Sequence, residues 1–263
     1  MKRIITFGLL LLFTVTYTFA QSLPYLKEPT FKTGEKLKYK LRYGFISAAT
    51  GTLTVQDSKY DFGSKEVMHL SAFGQTSGAF SKFYTVKNQY DSYINKENFL
   101  PYLYTENIKE NNYRRIEYAT FEHKTKEVKG KKGTFKSPTV QTFDLVSAYY
   151  FSRNLDFSTL KSGDKFKISY FLNDEIAQLG VEYIGIEKIK SVLGELECIK
   201  LSPEISPGRI FKKNSRLYLW VTNDGNRIPV KAQVDILIGS ITMDLVSADG
   251  LKYPLGTRVS YSK

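Results

Sequence analysis

The sequence predicts a mainly β fold of antiparallel strands with a few short helices packed on them. Three observations carry this expectation. Runs that alternate apolar and polar residues recur along the chain, the period-2 mark of half-buried strands. Turn signals rich in Gly, Asn and Asp separate these runs at short intervals. Tyrosine and phenylalanine, at 19 and 18 residues, suit a pleated and partly buried surface. The clearest stretch is Arg216 to Leu245, which Asp224-Gly225 and Gly239-Ser240 cut into three runs, a meander signature. In the middle run Ile228, Val230, Ala232, Val234, Ile236 and Ile238 share one side, and Arg227, Lys231, Gln233 and Asp235 the other.

The N-terminus reads as an export signal. Lys2 and Arg3 precede an apolar run from Ile4 to Val15, and Thr18-Phe19-Ala20 ends in a small residue. Residues 1–20 are expected to be a signal peptide cleaved after Ala20, with residues 21–263 as a single β-rich domain. No Cys follows Ala20, which argues against lipoprotein processing. No later apolar run is long enough to span a bilayer. The expected location is the periplasm or the exterior.

Lys36 to Tyr43 alternates strictly. Leu37, Tyr39, Leu41 and Tyr43 face one way, while Lys36, Lys38, Lys40 and Arg42 form a cationic ladder on the other. The ladder has two readings: a contact for anionic groups, or protection of an edge strand by lysine. Gly44 to Thr50 reads as a connector, and Gly51–Val55 and Val67–Phe73 as strands. Phe80, Phe83 and Tyr84 follow Ser77 at helical spacing, so a short helix is expected to lay an aromatic face on the sheet.

Val86–Tyr93, Phe99–Asn107 and Tyr113–Phe121 read as further strands, the last two joined by a turn at Glu110-Asn111-Asn112. Six lysines between Lys124 and Lys136, with two glycines among them, predict a protruding hairpin or loop. Thr142 to Arg153 is the clearest helix, capped by Asp144 and packed by a Leu145, Ala148, Tyr149 and Ser152 stripe. Lys165 to Leu172, Ile176 to Ile189 and Leu196 to Leu201 return to the β pattern. A loop at Ser206-Pro207-Gly208 leads into the meander.

Charge and motifs bound the function. Lys and Arg outnumber Asp and Glu by 38 to 26, a net charge of +12 that falls to +10 without Lys2 and Arg3. In an exported chain this favours anionic phospholipids or envelope glycans and argues against nucleic acid. His69 and His123 stand far apart, and no zinc, nucleophile-elbow or phosphate-loop motif occurs. No metal, cofactor or catalytic residue is expected. Cys198 is the one cysteine, so no intrachain disulfide forms, and its strand-like setting suggests a buried side chain.

Several residues together resemble a known family. They are Gly34-Glu35, Tyr39, Leu41, Tyr43-Gly44, Ala49, Gly51 and Leu53 near the start. Leu219-Trp220-Val221-Thr222, Asp224 and Arg227-Ile228-Pro229-Val230 stand near the end. The pattern, from about Phe31 to Gly250, is similar to the exported bacterial family called domain of unknown function 3108. The resemblance implies a single large curved antiparallel sheet, or open half-barrel, with short helices on its concave side, like periplasmic lipoprotein carriers. It carries no catalytic residues. The leading expectation is a non-enzymatic protein that binds or carries an amphipathic, lipid-like envelope molecule. Phe80, Phe83, Tyr84, Tyr149 and Trp220 would line an apolar concavity, and Lys36, Lys38, Lys40 and Arg42 would meet anionic groups. An interaction module for a partner protein or anionic glycan is the alternative, and a hydrolase the weaker one.

Overall fold

The lysine-laddered strand is the middle of the sheet. The computed structural model describes residues 23–205 and 215–259. The expected signal peptide and the Ser206-Pro207-Gly208 loop lie outside the described residues. From β1 (Lys36–Tyr43) the sheet runs outward through β2 (Ile46–Asp57), β3 (Val67–Thr76), β4 (Lys87–Asn95) and β5 (Pro101–Glu110). It continues through β6 (Tyr113–Glu122) to the hairpin β7 (Glu127–Gly130) and β8 (Gly133–Lys136). After β9 (Thr142–Phe143) and the helix α1 (Leu145–Arg153), the chain forms β10 (Lys165–Leu172), β11 (Glu175–Ser191) and β12 (Gly194–Pro203). Then come β13 (Leu217–Thr222), β14 (Pro229–Asp235) and β15 (Ser240–Asp249). β15 pairs with β1, so the two halves join into one 15-stranded sheet ending at β9. Its pairs are antiparallel except β9 with β10.

The ladder therefore does not protect an edge, because β1 is bonded on both sides. Lys36, Lys38 and Lys40 stand opposite Thr54, Thr52 and Thr50 of β2. Asp249 and Asp244 of β15 face Lys36 and Lys40, and Arg42 makes an ion pair with Asp244. The predicted connector after Gly44 is in fact β2, and the turn shrinks to Gly44-Phe45. The predicted lysine-rich hairpin is β7–β8.

One apolar core contains Leu70 of β3, Ile94 of β4, Ile168 of β10, Ile199 of β12, and Tyr150 and Phe151 of α1. These strands are far apart in the sheet order, so the sheet wraps around the helix. Asp144 caps α1 as expected, accepting from the amides of Val146 (2.8 Å) and Ser147 (2.9 Å). The buried face differs from the predicted stripe. Val146, Ser147, Tyr150, Phe151 and Arg153 are buried, while Leu145 is 45% exposed. The cause is polar: Asp144 also accepts from Ser92 Oγ at 2.6 Å, which draws the capped end into the core and turns Leu145 outward.

The two ends of the sheet meet through side chains. Phe171 of β10 packs on Phe121 of β6 and Phe135 of β8, with ring centroids 6.4 and 5.4 Å apart. Arg115 donates to Asn173 Oδ1 at 3.0 Å, and the Lys132 amide to Asp174 Oδ1 at 3.2 Å. Gly130 makes the approach possible, since a Cβ there would meet Asp174 and lie 2.6 Å from Phe171.

Candidate functional site

A cleft of about 800 Å³ opens at the end of the sheet where β13 turns into β14. Four parts of the chain build it. Tyr25, Leu26, Lys27 and Glu28 come from the segment before β1. Asp156, Phe157, Ser158 and Leu160 follow α1. Tyr183, Ile186 and Ile199 come from β11 and β12, and Asn223, Asp224, Arg227, Arg258 and Val259 from the β13–β14 turn and the C-terminal segment.

The turn at Asn223–Arg227 is more than a hairpin tip. Asp224 Oδ1 accepts from Thr222 Oγ1 (2.6 Å) and the amides of Asn226 (3.0 Å) and Arg227 (3.1 Å), and Oδ2 accepts from the Gly256 amide (2.9 Å). An aspartate holding amides two and three residues on is an Asx turn, which favours Asp on local grounds. The Asn226 side chain exchanges two hydrogen bonds with the Tyr253 backbone, both at 2.9 Å. Arg227, at φ 49°, donates to the Leu155 carbonyl, and its guanidinium lies 5.2 Å over the Phe157 ring. The turn thus fastens the C-terminal segment and the chain after α1, which form two walls of the cleft.

Beneath this wall is a buried ion pair. Arg153 donates to both oxygens of Glu35, at 2.6 and 2.8 Å, and to the Asn226 carbonyl at 2.8 Å. Its guanidinium lies 5.2 Å from the Phe31 and Tyr150 rings. Sequence reasoning placed Arg153 only at the helix C-terminus and missed this role. The available signal was Glu35 in a prominent Gly-Glu pair, without any indication of its partner.

The lining is apolar on the strand side and charged toward solvent. Phe157 and Tyr183 are buried and stack with centroids 6.4 Å apart. Lys27, Glu28 and Arg258 are exposed. Arg258 pairs with Glu197 at 2.5 Å. Hydrogen bonds from Lys252 and Tyr253 hold the Glu28 carboxyl below its ordinary range. The Asp224 oxygens accept four donors from the protein itself, which suits a structural carboxylate.

The five predicted lining residues are not brought together, and none lines this cleft. Phe80 lies in a 3-10 helix, Gly78–Lys82, without buried residues, and Ser77 makes no side-chain cap bond. Phe83 and Tyr84 follow it and are exposed. The segment is a single 3-10 turn beside β2 rather than an aromatic helix face: Phe83 is turned to solvent, and Phe80 and Tyr84 are partly covered. Tyr149 is half-buried on α1. Trp220 is buried in a second apolar cluster with Cys198, Ile228 and Val230. It keeps the predicted register beside Tyr218, opposite Lys200 and Lys231, whose ammonium groups lie 4.9 and 5.2 Å from its ring. Its indole N–H donates to Glu187 at 3.2 Å. Lys36, Lys38, Lys40 and Arg42 share one face of β1, away from the cleft lining.

Other reactive groups are occupied. His69 Nε2 lies 2.8 Å from Asp91 Oδ1, with the imidazole stacked on Tyr93 at 4.5 Å. His123 lies between the carbonyls of Val140 and Pro101, at 3.1 and 2.6 Å. Burial pushes the Cys198 thiol up to about 12. Among the described residues no group of three or more His, Cys, Asp or Glu is placed to hold a metal ion. No helix among them is long and apolar enough to cross a membrane.

One solved structure agrees with this architecture. The chain is similar to a solved β-barrel-like protein of domain of unknown function DUF1849 from Brucella abortus. The two share 10% identity at a TM-score of 0.52, over 87% of this chain and 99% of that one. It is also similar to a candidate exported protein with a YmcC-like fold from Bacteroides fragilis, at 12% identity and a TM-score of 0.40, over 86% of this chain and 99% of the other. No curated protein sequence matches. Residues 38–246 match the family described as protein of unknown function DUF3108. That match spans most of the chain, and the protein belongs to the DUF3108 family.

Proposed function

We propose that this is an exported, non-enzymatic envelope protein that binds an amphipathic, lipid-like molecule in the end cleft. The observation that carries the reading is the lining: an apolar wall of Phe157, Tyr183, Ile186 and Ile199 beside solvent-facing Lys27 and Arg258. A long acyl or polyprenyl chain fits the wall, and an anionic headgroup fits Lys27, with Arg258 reached in exchange for its pair with Glu197. The volume falls within the usual range of small-molecule sites, roughly 300–1,000 Å³. Export is supported by the N-terminal sequence. A binding role is favoured over catalysis because the carboxylates and imidazoles described above are engaged in structural hydrogen bonds.

The test is mass spectrometry of lipid extracted from protein purified from its native envelope, followed by titration with a fluorescent fatty acid. Ile186→Trp narrows the cleft from an exposed strand position and is expected to weaken binding by about tenfold, the loss that follows when one apolar contact surface is blocked. Protein that carries no lipid and binds none in titration would remove the reading.

A further inference from the structure

We infer that the opposite end of the sheet is a membrane-docking rim for an anionic bilayer. The antiparallel meander places the β5–β6, β3–β4, β1–β2 and β14–β15 connections side by side at one end. Each carries an exposed apolar side chain. Tyr113 begins β6; Phe83 is 85% exposed between β3 and β4; Phe45 is 95% exposed in the β1–β2 turn; and Ile238 is 77% exposed between β14 and β15.

Hydrogen bonds hold these connections together. Thr85 and Asn111 exchange two bonds of 2.8 Å between the first two. The Ser77 amide donates to the Ala48 carbonyl at 3.0 Å, tying the second connection to the start of β2 next to the third. Tyr43 Oη donates to the Ile238 carbonyl at 2.9 Å, joining the third to the fourth. Strands lie about 4.8 Å apart, so four neighbouring connections form a row roughly 30 Å long.

One exposed apolar residue needs no explanation, but four on adjacent connections at one end form a set that an interaction surface accounts for. Aromatic and branched side chains on projecting turns match the interfacial layer of a bilayer, where aromatic residues concentrate. Charge selects the lipid. Lys82, Lys87, Lys109 and Arg114 flank the first two tips against Glu110, while Asp235 stands beside the fourth, so the positive charge gathers at the Phe83 and Tyr113 half of the row. The Glu110 carboxylate is already bonded by Tyr84 at 3.2 Å and Asn88 at 2.8 Å. Cations near an anionic headgroup layer add attraction that salt weakens. The row is separate from the cleft, which is built around the β13–β14 turn at the other end, so the inference does not depend on cleft binding.

The test is co-sedimentation of the full secreted chain with vesicles of phosphatidylglycerol and phosphatidylethanolamine, with phosphatidylcholine vesicles as reference. The parent is expected to sediment with the anionic vesicles, less so at high salt. The combined variant Phe45→Ser, Phe83→Ser, Ile238→Ser alters exposed sites only and is expected to bind roughly a hundredfold more weakly, as for three partly inserted apolar side chains. Val192→Ser, an exposed site at the other end, is expected to leave binding unchanged, and circular dichroism is expected to match throughout. Failure of the parent to bind, or equal binding by the triple variant, overturns the inference. So does a parent dimer that the triple variant loses without any vesicle binding, because the rim would then join copies of the chain.

Discussion

Arg153 and Glu35 form a bidentate ion pair with both side chains essentially withdrawn from solvent, at 1% and 0% exposure. The pair links the end of α1 to the start of β1, and through the Asn226 carbonyl to the turn that walls the cleft. Two parallel charge-assisted bonds fix the guanidinium plane as well as its position.

Removing one partner is expected to be severe. Glu35→Gln or Arg153→Met leaves a charge in the core without its counter-ion, which costs roughly 3–5 kcal/mol. The double variant Glu35→Gln, Arg153→Met removes both charges and is expected to be clearly more stable than the sum of the single losses predicts. Urea unfolding of the four proteins measures this as a double-mutant cycle. Strict additivity would show that the two side chains do not act as a pair.

Local pattern was legible where it is local in origin. Leu37 and Tyr39 against Lys36 and Lys38 announce β1 because alternation is a property of one strand. That β1 lies in the middle of the sheet was not legible, since its partner Asp249 is more than two hundred residues away. The Glu35–Arg153 pair escaped for the same reason: neither residue's neighbours indicate a partner on a distant element. Phe80, Phe83 and Tyr84 misled in the other direction. Their spacing imitates a helix face, but in this loop nothing buries that face, and periodicity reports geometry without reporting what lies opposite. Ile238 continues the apolar side of its run in sequence, yet β14 ends at Asp235 and leaves it at a turn. The cleft was illegible because four distant segments assemble it, although Asn223 and Asp224 stand out in a turn whose local chemistry suffices to explain them.

Asp144 gives a prediction with a definite sign. Burial raises its pKa above the ordinary 3.8, outweighing hydrogen bonds from Ser92, Ser147 and Val146 that lower it. The folded protein then holds this proton more tightly than the unfolded chain. The stabilising contribution is fully present below the unfolded pKa and is lost as pH rises through the folded value. At neutral pH the buried charge therefore costs stability. Asp144→Asn keeps an acceptor for the Val146 and Ser147 amides and presents an amide donor to Ser92. It is expected to be more stable than the parent at neutral pH, with a margin that shrinks as pH falls into the carboxylate range. Asp144→Ala loses the cap and is expected to cost about 1–2 kcal/mol. Urea melts at neutral and acidic pH decide it: a margin that grows with acidity would reverse the sign.

Gly130 tests whether the sheet is sealed where its ends meet. Its position on β7 faces Asp174 and Phe171 from the other end of the sheet, and a Cβ would stand 2.6 Å from the Phe171 ring, closer than atoms pack. Gly130→Ala must push the β7–β8 hairpin off Phe171 or tilt that ring away from Phe121 and Phe135. Either response breaks packing that is otherwise close, and overpacking of this kind costs roughly 1–3 kcal/mol. The damage is expected to stay local. Amide exchange is expected to quicken in β7, β8 and the β10–β11 turn, where the Lys132 amide loses its bond to Asp174, while β13 to β15, bonded within the middle of the sheet, keep their protection. If the variant exchanges and unfolds like the parent, the two ends are merely near one another, and the wrapped sheet is held by α1 and its apolar core without help from this seam.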